Sequence, residues 1–348
     1  MAPPDTGAAI STLGSGHPVR VRDALDAGIT RSAIRAALAS GSVIRVRYGC
    51  LLSARDHAAH SRDQMFDRIH AAVSRLGEDV IVSHSSAALL HGLPLPHRTA
   101  HDEVHLLSLA THRRRYPGVK IQAAYGLGES DIVIIDGLRT TSLMRTAVDV
   151  ARRSTLPEAL IPLDAAVRRL VIEHPDQQPW LPDHDRVEVP RIVAEVRASL
   201  AEWGDRLATC IGVRELRRAI EHVSPLAESP LESGSRGVFI DGGLVPLALQ
   251  YRFVDASRTQ RRADFLLEEG LIGEADGLLK YEGVDGAKRL REEKLRDLVC
   301  AEVGLRTLRW SASDVWVRPQ QLLRWIRREM AALPESISRS RPPVADAG

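Results

Sequence analysis

The spacing of apolar positions changes repeatedly along the chain, and each change predicts an element. Val19, Val21 and Leu25 suit a short helix that Gly28 breaks, and Thr30 is placed to cap a second helix over Arg31–Ser40. The apolar face of that helix is Ala33, Ile34, Ala37 and Leu38, and Gly41 ends it. Val43, Ile44 and Val46 then read as a strand with Arg45 and Arg47 interleaved, Tyr48-Gly49 as a turn, and Cys50–Leu52 as the returning strand. Helix, turn, helix and hairpin in this order predict a winged helix-turn-helix, in which the second helix enters the DNA major groove and the hairpin lies along phosphates. Arg31, Ser32 and Arg35 are the expected groove-facing residues, and Arg45 and Arg47 the expected phosphate contacts. A small helical cap with surface arginines would show the same pattern.

Residues 61–173 alternate helical and extended periods and predict an α/β domain. The expected elements are a helix over Met65–Leu76, a strand at Val80–Val82, a capped helix over Ser83–His91, and strands at Val104–Leu109 and Ile132–Ile135. Helices come next after Thr141-Ser142 and over Pro157–Leu170. His97, His101 and His105 recur every four residues and would share a metal-binding face on a helix. Pro94 and Pro96 precede them and Val104–Leu109 reads as a strand, so that face is not expected to form. Residues 174–190 carry four prolines and read as a linker, succeeded by helical segments at Pro190–Trp203 and Val213–Val223. The expected organisation is therefore a winged helix-turn-helix at 1–60, an α/β domain at 61–173, a linker and helical connector at 174–224, a sheet flanked by helices at 225–332, and a disordered tail at 333–348.

Composition narrows the class without changing this layout. The 348 residues are 44 % hydrophobic and 26 % charged, which excludes collagen-like, coiled-coil and wholly disordered architectures. Three well-separated cysteines, Cys50, Cys210 and Cys300, argue against a disulfide scaffold or structural zinc site. No basic-then-apolar leader and no apolar run approaching ~18 residues is visible, so a cytoplasmic protein with no membrane partner is expected. The net charge of +2 conceals an asymmetry. Six arginines oppose two aspartates between Pro18 and Cys50, and residues 111–120 add four bases and no acid, whereas Ala263–Val303 holds 11 acids against six bases. A basic front attracts phosphates, and an acidic patch elsewhere can hold a metal ion.

The acidic stretch carries the candidate chemistry. Glu228 and Glu232 stand four apart at the start of a helix running through Arg236, Leu247–Phe253 reads as a strand, Asp264 sits on a second strand, and Glu274, Asp276 and Lys280 on a third. Residues two apart on a strand share a side, so Glu274, Asp276 and Lys280 are expected to line one face. The short connection Glu268-Glu269-Gly270 would bring Asp264 beside Glu274. Phosphodiester hydrolysis needs a divalent ion, and carboxylate oxygens hold hard Mg²⁺ (or Mn²⁺), so Asp264 and Glu274 are the expected metal ligands. Glu232, Asp264, Glu274, Asp276 and Lys280 form the expected catalytic set. A helix over Ala287–Val303, with Leu290, Leu295, Leu298, Val299 and Val303 facing inward, is expected to cover the sheet before a last strand at Leu305–Trp310.

Two family resemblances attach to these residues. The runs SHSSAALLHGLPL (Ser83–Leu95), GLRTTSLMRTAVDVARR (Gly137–Arg153) and LDAAVRR (Leu163–Arg169), behind the predicted winged helix, resemble the AbiEi-type antitoxins of type IV toxin–antitoxin operons over about half the chain. That resemblance implies binding to DNA, the protein's own operon DNA included, and a toxin partner. Glu232, Asp264-Phe265, Glu274-Ala275-Asp276-Gly277, a basic helix and Gly304–Arg309 resemble, in order, the PD-(D/E)XK endonucleases allied to very-short-patch-repair enzymes. This second resemblance covers about 110 residues and implies a Mg²⁺-dependent DNA endonuclease with a restriction-endonuclease-like sheet. The lysine of the family's E-x-K is absent: Asp276 occupies its place, and Lys280 lies four residues on. The alternative is a non-catalytic antitoxin and transcriptional autoregulator with a degenerate nuclease fold.

Overall fold

The computed structural model describes residues 5–59, 64–77, 79–96, 103–110, 116–173, 188–276 and 294–333, and helices and strands are mixed through them. The chain divides into two compact units, Met1–Val150 with Asp205–Cys210, and Ala151–Gly204 with Ile211–Gly348.

The first unit begins with α1 (Thr6–Gly14), β1 (Val19–Arg20), α2 (Val21–Asp26), α3 (Arg31–Ser40), β2 (Val43–Arg47), β3 (Cys50–Ser53) and α4 (Ala54–Ala59). The Thr30 hydroxyl caps α3 by accepting the Ala33 N–H at 3.2 Å, and Gly41 ends that helix at a φ of 75° that suits glycine. Ile34 and Ala37 pack from α3 onto Ile10, Ala24, Val43 and Leu51, and the strands pair antiparallel in the order β1-β3-β2. The short β1 and all of α1 have no counterpart in the residue pattern. A two-residue strand has no period, and α1 is built mostly of small residues and held by Asp5, whose carboxylate accepts the Gly7 N–H at 2.9 Å.

The unit continues with α5 (Gln64–Leu76), β4 (Val80–Val82), α6 (His84–His91), β5 (Val104–Ser108), β6 (Val119–Ala123), β7 (Ile132–Ile135), β8 (Leu138–Thr141) and α7 (Leu143–Ala151). Its five strands form a mixed sheet in the order β6-β5-β4-β8-β7. β6 and β8 are absent from the expected elements: β6 (VKIQA) alternates over only five residues and pairs with β5, and β8 (LRTT) is polar and pairs with β7 and β4. On α7, Arg145 is 2 % exposed, donates to Asp149 at 2.7 Å and also to the carbonyls of Tyr125 and Gly126, tying the helix to the preceding loop. His105 lies on β5. His97 and His101 lie outside the described residues, as do residues 174–187 and the tail from 334.

The second unit comprises α8 (Leu156–Glu173), α9 (Glu188–Arg206, to Gly204), α10 (Val213–Glu221), α11 (Pro230–Asp241), β9 (Ala248–Val254), β10 (Gln260–Glu268), β11 (Leu271–Ala275), α12 (294–302), β12 (Arg306–Trp310), α13 (Ala312–Trp316) and α14 (Pro319–Ala331). The residue pattern puts a boundary at 173, whereas α8 groups with the C-terminal helices and sheet. Gly237 explains why: a Cβ there would sit 2.3 Å from the Pro157 Cα, so only glycine lets α11 approach α8 this closely. The buried Arg236 side chain then reaches both carboxylate oxygens of Asp164 on α8, at 2.7 and 2.6 Å.

β9, β10 and β11 form an antiparallel meander, and β12 adds parallel to β11 after the crossover through α12. Phe239 of α11, Phe265 of β10 and Trp310 of β12 meet with ring centroids 5.4–5.5 Å apart in this unit's core. Gly273 leaves room for the Trp310 ring, which a Cβ would meet at 2.4 Å. The expected inward face of α12 is corrected in part. Leu295 and Leu298 are 61 % and 62 % exposed, and Cys300 is the α12 residue that packs with Ala263 and Ile272. The apolar spacing of Leu295 and Leu298 is helical, but the helix turns that stripe away from the sheet.

Candidate functional site

Strand register assembles the acidic residues. Phe265 pairs with Gly273, which sets Asp264 and Glu274 at the next register position, and Glu274 pairs in turn with Arg309 of β12. On the other side, the pairs Ala263–Tyr251 and Phe265–Leu249 flank Asp264 and Gln250, so Gln250 stands opposite Asp264. Gln250, Asp264, Glu274 and Arg309 thus occupy one line across all four strands. Gln250 has a φ of 52°, a left-handed conformation that costs on the order of 1–3 kcal/mol for a residue other than glycine.

Glu232 joins this line from α11. Ser229 caps the helix by accepting the Glu232 N–H at 3.1 Å, and Oε2 of Glu232 accepts both the Glu228 N–H at 2.9 Å and Nε2 of Gln250 at 2.7 Å. The Gln250 Oε1 atom is buried without a hydrogen-bond partner. Asp264 accepts the Ala275 N–H at 2.9 Å. Burial, and then the neighbouring Asp264 charge, push Glu232 up to about 7 and Glu274 up to about 8. Burial also raises Asp264, with Asp276 adding to the effect. Three half-desolvated carboxyls that repel one another form a site whose charge a cation would relieve.

Glu228 and Asp276 are committed to cations of the chain. Glu228 accepts both terminal nitrogens of Arg262, at 3.0 and 2.7 Å, and one from Arg168. Asp276 accepts Arg309 Nη1 at 3.1 Å, while Arg309 Nη2 reaches Asp297 of α12 at 3.0 Å. These two acids raise the Arg309 pKa, and its Nε is buried with no partner. Lys280 lies outside the described residues. No group of three or more His, Cys, Asp or Glu side chains among the described residues is placed to hold a metal ion. Asp264 and Glu274 stand side by side on β10 and β11 as two carboxylates.

At the basic front, Arg31, Ser32 and Arg35 are exposed on α3, and Arg45 is exposed on β2. Arg47 departs from the expected role. It is half-buried, and its guanidinium donates to the carbonyls of Pro117 and Gly118 instead of pointing along the hairpin surface.

No protein-family model matches the chain. It is 26 % identical over 305 residues, 87 % of this chain and 97 % of the relative, to an uncharacterised protein of Mycobacterium tuberculosis strain H37Rv, Rv2248. The same figures hold for uncharacterised protein MT2308 of strain CDC 1551 / Oshkosh. Among solved structures, the Rv2827c protein of M. tuberculosis aligns with 68 % of this chain and 81 % of its own at 14 % identity and a TM-score of 0.33.

Two residues join the site only through strand pairing. Gln250 lies on β9 near another polar residue, Arg252, and only register places it opposite Asp264. Arg309 is visible as the end of the Gly304–Arg309 run, but its place beside Glu274 comes from the parallel pairing of β11 with β12.

Proposed function

We propose that the second unit is a divalent-metal-dependent DNA endonuclease of the PD-(D/E)XK type, and that α2, α3 and the β2–β3 hairpin form a winged helix-turn-helix that holds DNA. The observation that carries the nuclease reading is the line of Asp264 and Glu274 in register, with Glu232 coupled to Asp264 and bonded to Gln250. The ordered motif Glu232, Asp264-Phe265, Glu274-x-Asp276 and Gly304–Arg309 adds to it, and so does the exposure of Arg31, Ser32, Arg35 and Arg45.

Each residue has a role that its surroundings suit. Asp264 and Glu274 would hold Mg²⁺ or Mn²⁺, which when bound neutralises phosphate charge and lowers the pKa of water. Asp264 is oriented for this by the Ala275 N–H. Glu232, pushed up to about 7 by burial and the Asp264 charge in the metal-free protein, would take a proton from the attacking water once a cation offsets that charge, and Gln250 fixes its carboxylate. Arg309 replaces the missing E-x-K lysine as the cation beside Glu274 and would meet the negative charge that develops on phosphate, with Asp276 and Asp297 holding its guanidinium. Lys280 remains a candidate for contact with a flanking phosphate.

The second reading is a non-catalytic autoregulator that binds its operon DNA, with a toxin as partner. It is favoured by Asp276 standing in place of the family's lysine. Incubating the full chain with supercoiled plasmid in Mg²⁺, Mn²⁺ or EDTA separates the two. Nicked or linear product with either metal and none in EDTA supports the nuclease, and retarded but intact DNA supports the regulator.

A further inference from the structure

The outer face of α12, in the second unit, is left unused by the proposed chemistry. At about 100° of turn per residue, Lys294, Leu295, Leu298 and Glu302 fall within about 100° of the helix circumference. Cys300, which packs with Ala263 and Ile272 of the sheet, lies on the opposite side. Leu295 and Leu298 are 61 % and 62 % exposed, and Lys294 and Glu302 are exposed beside them. Neither of these two charges has an ion-pair partner among the described residues. Two leucines held in water side by side, on a helix whose inner side is already filled, are the mark of a surface that another surface covers.

The order of charge along the stripe points to what covers it. Lys294 stands at one end and Glu302 at the other, and Leu298 is four residues, about 6 Å, from each. Such a stripe is complementary to its own reverse. A two-fold axis at Leu298 sets Leu298 against the Leu298 of a second copy and each Lys294 level with the opposing Glu302, whereas a parallel alignment sets like charges level. We propose that α12 is a docking surface for a second copy of this chain, with the two α12 helices packed antiparallel in an isologous seam. Asp297, on the flank of the stripe, accepts Arg309 Nη2 at 3.0 Å, so the seam lies beside the carboxylate line and takes none of its residues. The inference goes beyond the nuclease reading and does not depend on it.

Sedimentation equilibrium on the full chain, at low salt and without DNA, provides the test. The mass should rise with concentration from 38.2 kDa toward twice that value, as a weak dimer, because the seam holds only two leucines per copy. Leu298→Glu places two carboxylates face to face at the two-fold axis and should leave a monomer up to roughly 100 µM, well above a micromolar Kd. The exposure of Leu298 lets the fold survive this change, which circular dichroism checks. Lys294→Glu and Glu302→Lys each turn both cross-seam pairs into like-charge pairs, and each should weaken association about fivefold or more. Mixed in equal amounts, these two variants should regain the wild-type affinity as a heterodimer, because every cross-seam pair is then of opposite sign. An effect confined to one chain cannot produce that rescue. A wild-type monomer at every concentration up to roughly 100 µM, undiminished association of Leu298→Glu, or a mixture no tighter than either variant alone overturns the proposal.

Discussion

Glu274 and Asp264 occupy neighbouring positions on the central strands of the second unit's sheet, and their like charges, added to burial, push Glu274 up to about 8. The site is thus costly to charge, which gives the proposed function a thermodynamic signature apart from cleavage.

In metal-free protein, Glu232 and Glu274 titrate higher when folded, at about 7 and about 8, than the ordinary carboxylate value of ~4.3. A folded-state pKa above the unfolded one gives stability that is complete below the unfolded value and lost as pH rises through the folded value. Melting temperature should therefore fall between about pH 5 and pH 8 as these two carboxyls ionise. Glu274→Gln should raise the pH 8 melting temperature of the metal-free protein and change it little at pH 5. Thermal melts at both pH values check this, and an equal effect at each would detach the stability cost from Glu274. Adding Mg²⁺ at pH 8 should stabilise wild type more than the variant.

Arg309→Ala should lower the cleavage rate on the order of 10²-fold or more by removing the cation beside Glu274. The Mg²⁺ midpoint should shift less than it does in Asp264→Asn. Single-turnover rates across a metal titration measure both quantities. A midpoint moved chiefly by the arginine change would assign it to organising the carboxylates.

The hairpin arginines should separate in DNA binding. Arg45→Ala should flatten the dependence of log K on log salt by about 0.9, the value of one phosphate contact on duplex DNA. Arg47→Ala should leave that slope nearly unchanged, because its guanidinium is spent on the Pro117 and Gly118 carbonyls. Fluorescence anisotropy at several salt concentrations checks the pair, and equal slopes for both variants would contradict the assignment.

Arg145→Ala should destabilise the first unit by about 3–5 kcal/mol, since it removes the cation of a buried ion pair with Asp149 and the donor to two backbone carbonyls. Denaturant unfolding monitored by circular dichroism reads this directly. A loss below about 1 kcal/mol would mean that water enters to replace the guanidinium.

The parts legible from residue order are those whose information is local. Thr30 and Gly41 bound α3 through caps, and the Glu268–Gly270 connection puts Asp264 near Glu274 because a short turn leaves little choice of register. The four-residue spacing of Arg145 and Asp149 on one helix likewise foreshadows their ion pair. What escaped depends on distant partners. Arg47 points at carbonyls 70 residues away, Leu295 and Leu298 share a helical stripe that the packed helix turns outward, and α8 joins the later unit through Gly237. Gln250 is the clearest case, because nothing near it in the chain marks a strained residue opposite Asp264.

The most direct measurement is single-turnover cleavage of an end-labelled DNA duplex by the full chain in Mg²⁺, compared with Asp264→Asn and with EDTA. A metal site at Asp264 and Glu274 predicts a discrete or nicked product with wild type, a loss of roughly 10²-fold or more in rate with the variant, and none in EDTA, while the variant still binds the duplex. Full-rate cleavage by Asp264→Asn, or intact DNA with wild type in both Mg²⁺ and Mn²⁺, would contradict it.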